Sequence, residues 1–537
     1  MSTVAVAAPT SRRAPAEPLA GTGVVLRFAL RRNRARLAVW WLVEVGMLAY
    51  ITALYKQQFS DPANRESFLR ITKDQSMTAL VGHLSNPGSL GSAVWLKGWM
   101  FLSVMLAVGM VFLVTHNLRG DEEAGRIELF RAGRLGLHAE MAATAVITLT
   151  LCLAVAVGSF AVLAALGIGI RESALFAVSV GAVGALGVGV GLVTNQVAPT
   201  GRGANGVGSA VIMVFYALRV IGDTQKNGLT WASPIGWGQK TDPWGANRWW
   251  PLLLLVVLVA LCAAAAWALE ARRDHGAGLV APRKGTATAS RGLTTVTGLS
   301  FRLQRGALVG WAVGLVLAGA LIGSVIKQML DLVKNMTLGV LGSHDTGTII
   351  ALLVSMIALV VAMAGVQSAS HLRGDEATGT LESQLAGAVT RLGWALRRLA
   401  VTFAAVVVLL VLTGATMGAV YGQSVGDASQ TGRLTVAMLA YLPACAIMIG
   451  VVVLGLGWWP RVGSSIAWGL IGLMYFLVLF GTDLKLPSWA MSAIPFTGTP
   501  RLPADAMSWP PVVVMSLVAV AMTAVGLFGF RRRDIPA

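Results

Sequence analysis

The sequence predicts an all-α polytopic membrane protein of about twelve transmembrane helices, arranged as two parallel six-helix halves. Three observations predict it: a composition unlike that of soluble proteins, a series of long apolar stretches, and a charged motif that occurs twice. Of 537 residues, 55% are hydrophobic and 12% charged, with a mean hydropathy of +0.71. Soluble domains carry about 25% charged residues.

A helix needs roughly 20 mostly apolar residues to cross about 30 Å of hydrocarbon. Stretches that qualify lie at 37–55, 94–115, 141–168, 173–196, 205–222, 250–269, 306–326, 348–369, 398–421, 433–456, 464–482 and 511–530.

The formal net charge of +18 is distributed with the membrane in view. Arg27, Arg31, Arg32, Arg34 and Arg36 precede the first stretch; Arg119, Arg126, Arg131 and Arg134 follow the second; Arg272, Arg273, Arg283 and Lys284 follow the sixth; Arg531 to Arg533 follow the last. Together with the gaps after the fourth, eighth and tenth stretches, these alternate gaps hold about 27 of the 42 Lys and Arg. That is the bias of the positive-inside rule, and it predicts a multi-pass protein with both termini cytoplasmic. The basic residues set orientation and touch anionic membrane lipid. No basic domain with interleaved aromatics stands apart from the spans, so nucleic acid is not an expected partner.

Cys152, Cys262 and Cys445 each fall inside an apolar stretch, which argues against a disulfide framework or a zinc site. The six histidines do not cluster and no His-Glu-x-x-His is present, so neither a metal centre nor an intramembrane enzyme is expected. Residues 1–23 lack the apolar core of a signal peptide and read as a disordered tail.

The duplicated motif organises the chain. "HNLRGDEEAGRIELFRAGR" at 116–134 returns as "SHLRGDEATGTLESQLAGA" at 370–388. Laid from Leu118 onto Leu372, the copies pair Arg119 with Arg373, Gly120 with Gly374, Asp121 with Asp375, Glu122 with Glu376, Gly125 with Gly379 and Glu128 with Glu382. Each copy follows the second span of its half. The segments 233–274 and 492–534 also share a layout: a Pro, Gly and Trp-bearing stretch, an apolar span, then an Arg cluster ending in Asp. The halves are therefore 24–275 and 295–534, joined by a cytoplasmic linker at 276–294. Six spans per half make the halves parallel, so both repeated loops face the same side. Within them, Gly120 and Gly374 are expected to turn the chain as it leaves the membrane. Asp121, Glu122, Asp375 and Glu376 would suit the positive end of a short helix, and Gly125 and Gly379 would punctuate it. Two symmetric acidic-glycine loops on one face suggest a docking surface for a two-fold partner.

On these residues the chain resembles the type 2 ATP-binding-cassette export permeases. In that family a cytoplasmic coupling segment follows the second span and reads as an acidic stretch, Gly-Thr, an aliphatic residue and Glu. "DEATGTLESQL" matches closely; "DEEAGRIELFR" carries Arg126 in place of Thr. The fused, double-length form is similar to bacterial exporters of polyketide antibiotics, including tetronasin resistance permeases. The resemblance implies an amphipathic connecting helix before the first span of each half, a bacterial plasma-membrane location and a hydrophobic drug, antibiotic or lipid-like substrate. It also implies a separate ATPase subunit, in two copies, gripping the coupling segments. This chain has no Gly-x-x-x-x-Gly-Lys-Ser/Thr loop, so ATP and Mg are expected on the partner, with no cofactor in this chain. A major-facilitator transporter also has twelve spans in parallel halves, but its corresponding loop is a short, mainly basic turn without the paired Glu128 and Glu382.

Charges inside spans cost roughly 2.5 to 3.5 kcal/mol on insertion scales and face a cavity or a partner. Glu44, one turn beyond Trp40 and Trp41, and Arg219 are the two clear cases. Trp40, Trp41, Glu44 and Arg219 are candidates for a substrate path, with indole faces suited to a cationic drug. The alternatives are a structural Glu44–Arg219 pair and an interfacial position for the two tryptophans.

Overall fold

The computed structural model describes residues 17–62, 65–66, 86, 88–126, 135–225, 227–274, 276–280, 287–336, 346–377, 379–480 and 494–534. The chain divides into two compact units, Met1–Lys284 and Gly285–Ala537. The described structure is helical throughout, as the composition requires, because a backbone surrounded by hydrocarbon must satisfy its own N–H and C=O groups.

In the first unit the spans are α1 (Thr22–Gln58), α2 (Met100–Asn117), α3 (Ala139–Ala165), α4 (Ile170–Val197), α5 (Gly201–Thr224) and α6 (Pro251–Glu270). In the second they are α7 (Val296–Met336), α8 (Thr346–Ala377), α9 (Arg391–Val425), α10 (Leu442–Trp458), α11 (Gly463–Phe480) and α12 (Trp509–Arg532). Eleven of the described helices are long and apolar enough to cross a membrane, α10 counting together with Ser429–Leu439; α11 is apolar but shorter.

Three departures from the sequence reading have physical causes. Among the described residues no separate connecting helix precedes the first span: α1 runs unbroken for 37 residues, about 55 Å at 1.5 Å per residue. Its basic first half continues straight into its apolar half, because no proline interrupts it. Second, residues 17–21 of the expected tail are ordered. His138 N–H donates to the Pro18 carbonyl at 3.0 Å and Gly136 N–H to that of Ala20 at 2.9 Å; residues 1–16 lie outside the described residues. Third, the expected span 433–456 is broken. A helix at Ser429–Leu439 stops, and α10 restarts with Pro443 in its first turn, where a missing N–H costs nothing.

Close packing is carried by small residues. In α4, a Cβ on Gly187 would collide with the Ala107 carbonyl of α2, one on Gly184 with Leu106, and one on Gly191 would press on Val114. Glycine lowers helix propensity by about 1 kcal/mol relative to alanine. Here it lets two backbones approach, the usual means of helix association where lipid removes the hydrophobic drive. At one end of this seam the tryptophans divide. Trp95 and Trp99 stack with centroids 4.5 Å apart, Trp244 meets Trp95 edge-on, and Trp99 Nε1 donates to Ser179 Oγ at 2.7 Å. Trp231, Trp249 and Trp250 remain exposed, as interface anchoring requires.

Candidate functional site

The two repeated loops close on the same device. Gly125 and Gly379 both have positive φ, +65° and +70°, a left-handed conformation that strongly favours glycine. Each donates its N–H three residues back, to the carbonyls of Glu122 and Glu376, at 3.0 and 3.2 Å. The next position also reaches back in both copies, by different chemistry. Arg126 Nε lies 3.1 Å from an Asp121 carboxylate oxygen, while the Thr380 hydroxyl donates to the Asp375 carbonyl at 3.1 Å. The substitution of Arg for Thr therefore preserves the turn.

Gly120 and Gly374 do not turn the chain. Gly374 lies within α8, which continues through "HLRGDEA" to Ala377, and Gly120 lies in a five-residue helix, Arg119–Glu123, after a break at Leu118. In the first copy Asp121 and Glu122 fall in the first turn of that short helix, as expected; in the second copy the acids lie at the opposite pole. Asp375 and Glu376 stand in the last turn of α8, the negative end of a helix, where carboxylates are disfavoured. Arginines neutralise them instead: Arg398 pairs with Asp375, and Arg373 and Arg533 lie 3.4 and 2.5 Å from Glu376.

In the first unit Arg32 of α1 donates to both Asp121 oxygens at 2.7 Å and to Asn117 at 2.8 Å, and Asn33 also donates to Asn117. Glu122 lies between Arg119, 2.8 Å away, and Arg273 at the end of α6, 2.5 Å away. Arg119, 1% exposed, spends its other donors on the carbonyls of Asn195 and Ala277. Glu123 accepts from the Gly201 N–H that opens α5. Beyond the turn, Glu382 begins the helix Thr380–Leu385 and is exposed; Glu128 lies outside the described residues.

Sequence reading missed Arg32, Arg273, Arg398 and Arg533 as partners of the loops. Its signal was present, since both sixth spans end in an Arg cluster before Asp, but it was read only as orientation charge.

Glu44 and Arg219 are not brought together. The Arg219 guanidinium is fully buried and lies 3.2 Å from Asp223, one turn on in α5. Gln239, from the short helix Pro234–Gln239, accepts from Arg219 Nε at 2.5 Å and donates to Asp223 at 2.8 Å. Thr230 supplies a further hydrogen bond to Asp223 at 2.9 Å. This network pins the segment between the fifth and sixth spans to α5.

Glu44 is 1% exposed, and neither carboxylate oxygen has a hydrogen-bond partner among the described residues. Trp40 packs where a Cβ on Gly109 of α2 would stand, and Trp41 beside Gly158 of α3, with its Nε1 donating to the Ala154 carbonyl at 3.0 Å. Both rings pack against neighbouring helices and are partly buried. Glu44 lies one turn further along α1.

Helical units built from membrane-length apolar spans define an all-α, multi-pass membrane protein. The model of the family described as "Multidrug efflux system permease Rv1217c, C-terminal domain" matches residues 293–531. The multidrug efflux system permease protein Rv1217c of Mycobacterium tuberculosis is 32% identical over 544 residues, spanning 98% of this chain and 98% of that protein. The chain belongs to this family of multidrug efflux system permeases.

Proposed function

We propose that this chain is the transmembrane subunit of an ABC-type exporter of the bacterial plasma membrane. It would move hydrophobic drug, antibiotic or lipid-like molecules outward with energy from ATP hydrolysed by a separate ATPase subunit. The observation that carries the reading is the pair of matched loops, one after each second span and each closed by a left-handed glycine, Gly125 or Gly379. Two like footprints suit two copies of one partner. A partner can drive the spans only if its contacts with the loops differ between two states of the permease, and exposed Glu382, with its counterpart Glu128, is the residue we assign to that contact. Co-purification from native membranes tests the reading: an ATPase subunit held in two copies is expected, and a chain that transports without one is a secondary transporter. The double variant Glu128→Ala/Glu382→Ala should insert normally yet lose at least about tenfold in substrate-stimulated hydrolysis, the scale of a typical coupling energy; normal coupled transport removes the assignment.

Both loops and both termini are assigned to the cytoplasm on the arginine distribution. Cysteines placed at Gly285 and Asn227 should respond oppositely to an impermeant thiol reagent in intact cells. Labelling at 227 alone is expected, and labelling at 285 alone reverses the orientation.

In the substrate path we place Glu44 with Trp40 and Trp41. Arg219 is left out of it, because its charge is already committed to Asp223. A lone buried carboxylate must be neutralised by a proton or by a cation, and two indoles one turn before it on α1 favour a lipophilic cation.

A further inference from the structure

The last arginine of each sixth span makes one contact twice over. Arg273, just beyond α6, grips Glu122 with two nitrogens, Nη2 on Oε1 at 2.5 Å and Nη1 on Oε2 at 3.2 Å. Arg533, just beyond α12, places Nη2 2.5 Å from Glu376 Oε2. Glu122 and Glu376 occupy the same position of the repeat, and Arg273 and Arg533 the same position before the terminal Asp of their clusters. Both glutamate side chains are turned inward, 7% and 1% exposed. A partner cannot reach these acids without breaking their pairs. The loop is thus divided between an outward acid, Glu382, and an inward one that binds it to a helix more than 150 residues away in sequence.

We infer that Arg273 and Arg533 are positioning residues that tie each repeated loop to the end of its sixth span, so that loop and span move as one body. A two-point guanidinium–carboxylate contact resists rotation as well as separation. Displacement of the loop is then delivered to α6 or α12 directly, in addition to the second span from which the loop emerges. The ties are unequal. Glu122 uses both oxygens, whereas Glu376 Oε1 has no partner among the described residues, so the first tie is the firmer. The inference rests on the coupling reading for what pushes the loops, not for the tie itself.

Reconnection after folding tests it. Glu122→Cys with Arg273→Cys removes the pair. Cys262 is replaced by Ala because it is only half-buried, whereas Cys152 and Cys445 are buried. Efflux of a fluorescent lipophilic cation, per unit of protein in the membrane, should fall about tenfold in the unlinked variant. It should recover when a short bis-maleimide joins the two cysteines. A purely structural role for the charges gives no such recovery. Full efflux before linking, or no recovery in protein shown to be linked, overturns the proposal. If the variant does not accumulate, Glu376→Cys with Arg533→Cys gives the same readout at the less complete tie, with a smaller loss. Efflux reports the tie whatever the energy source, and co-purification of an ATPase reports the coupling reading, so the two fail separately.

Discussion

Arg219→Met will cost the first unit a large share of its stability. The substitution keeps the length of the side chain and removes the cation, leaving Asp223 buried beside Gln239 and Thr230 with no positive partner from Arg219. Removing one member of a buried ion pair costs about 3–5 kcal/mol, because the remaining charge stays desolvated. That is a large share of the 5–15 kcal/mol that separates folded from unfolded domains. Protein in the membrane should drop severalfold, and the thermal transition of purified protein should move down by several degrees. Adding Asp223→Asn removes the stranded charge while keeping an acceptor for Thr230, so the double variant should recover most of the loss. If the single variant accumulates normally, or the double is no better, the network is not the pin described above.

Glu44→Leu should do the opposite: leave the fold intact and disable transport. Aligning Trp40 with Trp311 sets Glu44 on Leu315, and Leu315 is 2% exposed in the core of the second unit. The same helix therefore folds with leucine at this place. Removing a buried carboxyl with no partner among the described residues relieves a desolvation cost of about 1–3 kcal/mol on the mutational scale, so accumulation should equal or exceed that of the parent. Efflux of lipophilic cations should fall at least about tenfold, more than that of neutral drugs. Glu44→Gln separates charge from shape and should show the same preference. Unchanged efflux of cations in both variants removes Glu44 from the substrate path. Poor accumulation of Glu44→Leu would show instead that the carboxyl holds a structural contact.

The sequence displays the spans because hydrocarbon leaves a long, continuous mark: α3 and α8 are legible from apolar residues alone. It displays the left-handed turns at Gly125 and Gly379 because a positive φ selects a residue type locally. What it conceals is pairing over distance. Nothing beside Glu122 announces that its partner is Arg273, 151 residues on, and an arginine that orients the chain looks the same as one that closes a tie. Asp223 shows a different kind of concealment. It lies just past the apolar stretch ending at 222, so a window ruled by hydropathy stops one residue short of the partner that Arg219 needs. Gly374 was misjudged because a glycine before acids resembles a helix end; α8 continues through it because Arg373, Arg398 and Arg533 remove the electrostatic reason to stop.

The glycine seam between α2 and α4 also governs the order in which the chain can be built. α2 leaves the ribosome well before α4, and the surface it reserves fits only a helix with no side chain at Gly184, Gly187 and Gly191. Until residue 197 has been made, that surface is filled by lipid tails, which cannot follow the backbone contour as closely as glycine does. Closing the seam therefore displaces lipid, and this step must wait for α4 but not for α5 or α6. A nascent chain halted between α3 and α4 would display an unfilled groove to the quality-control proteases of the membrane, while one halted a single helix later would not.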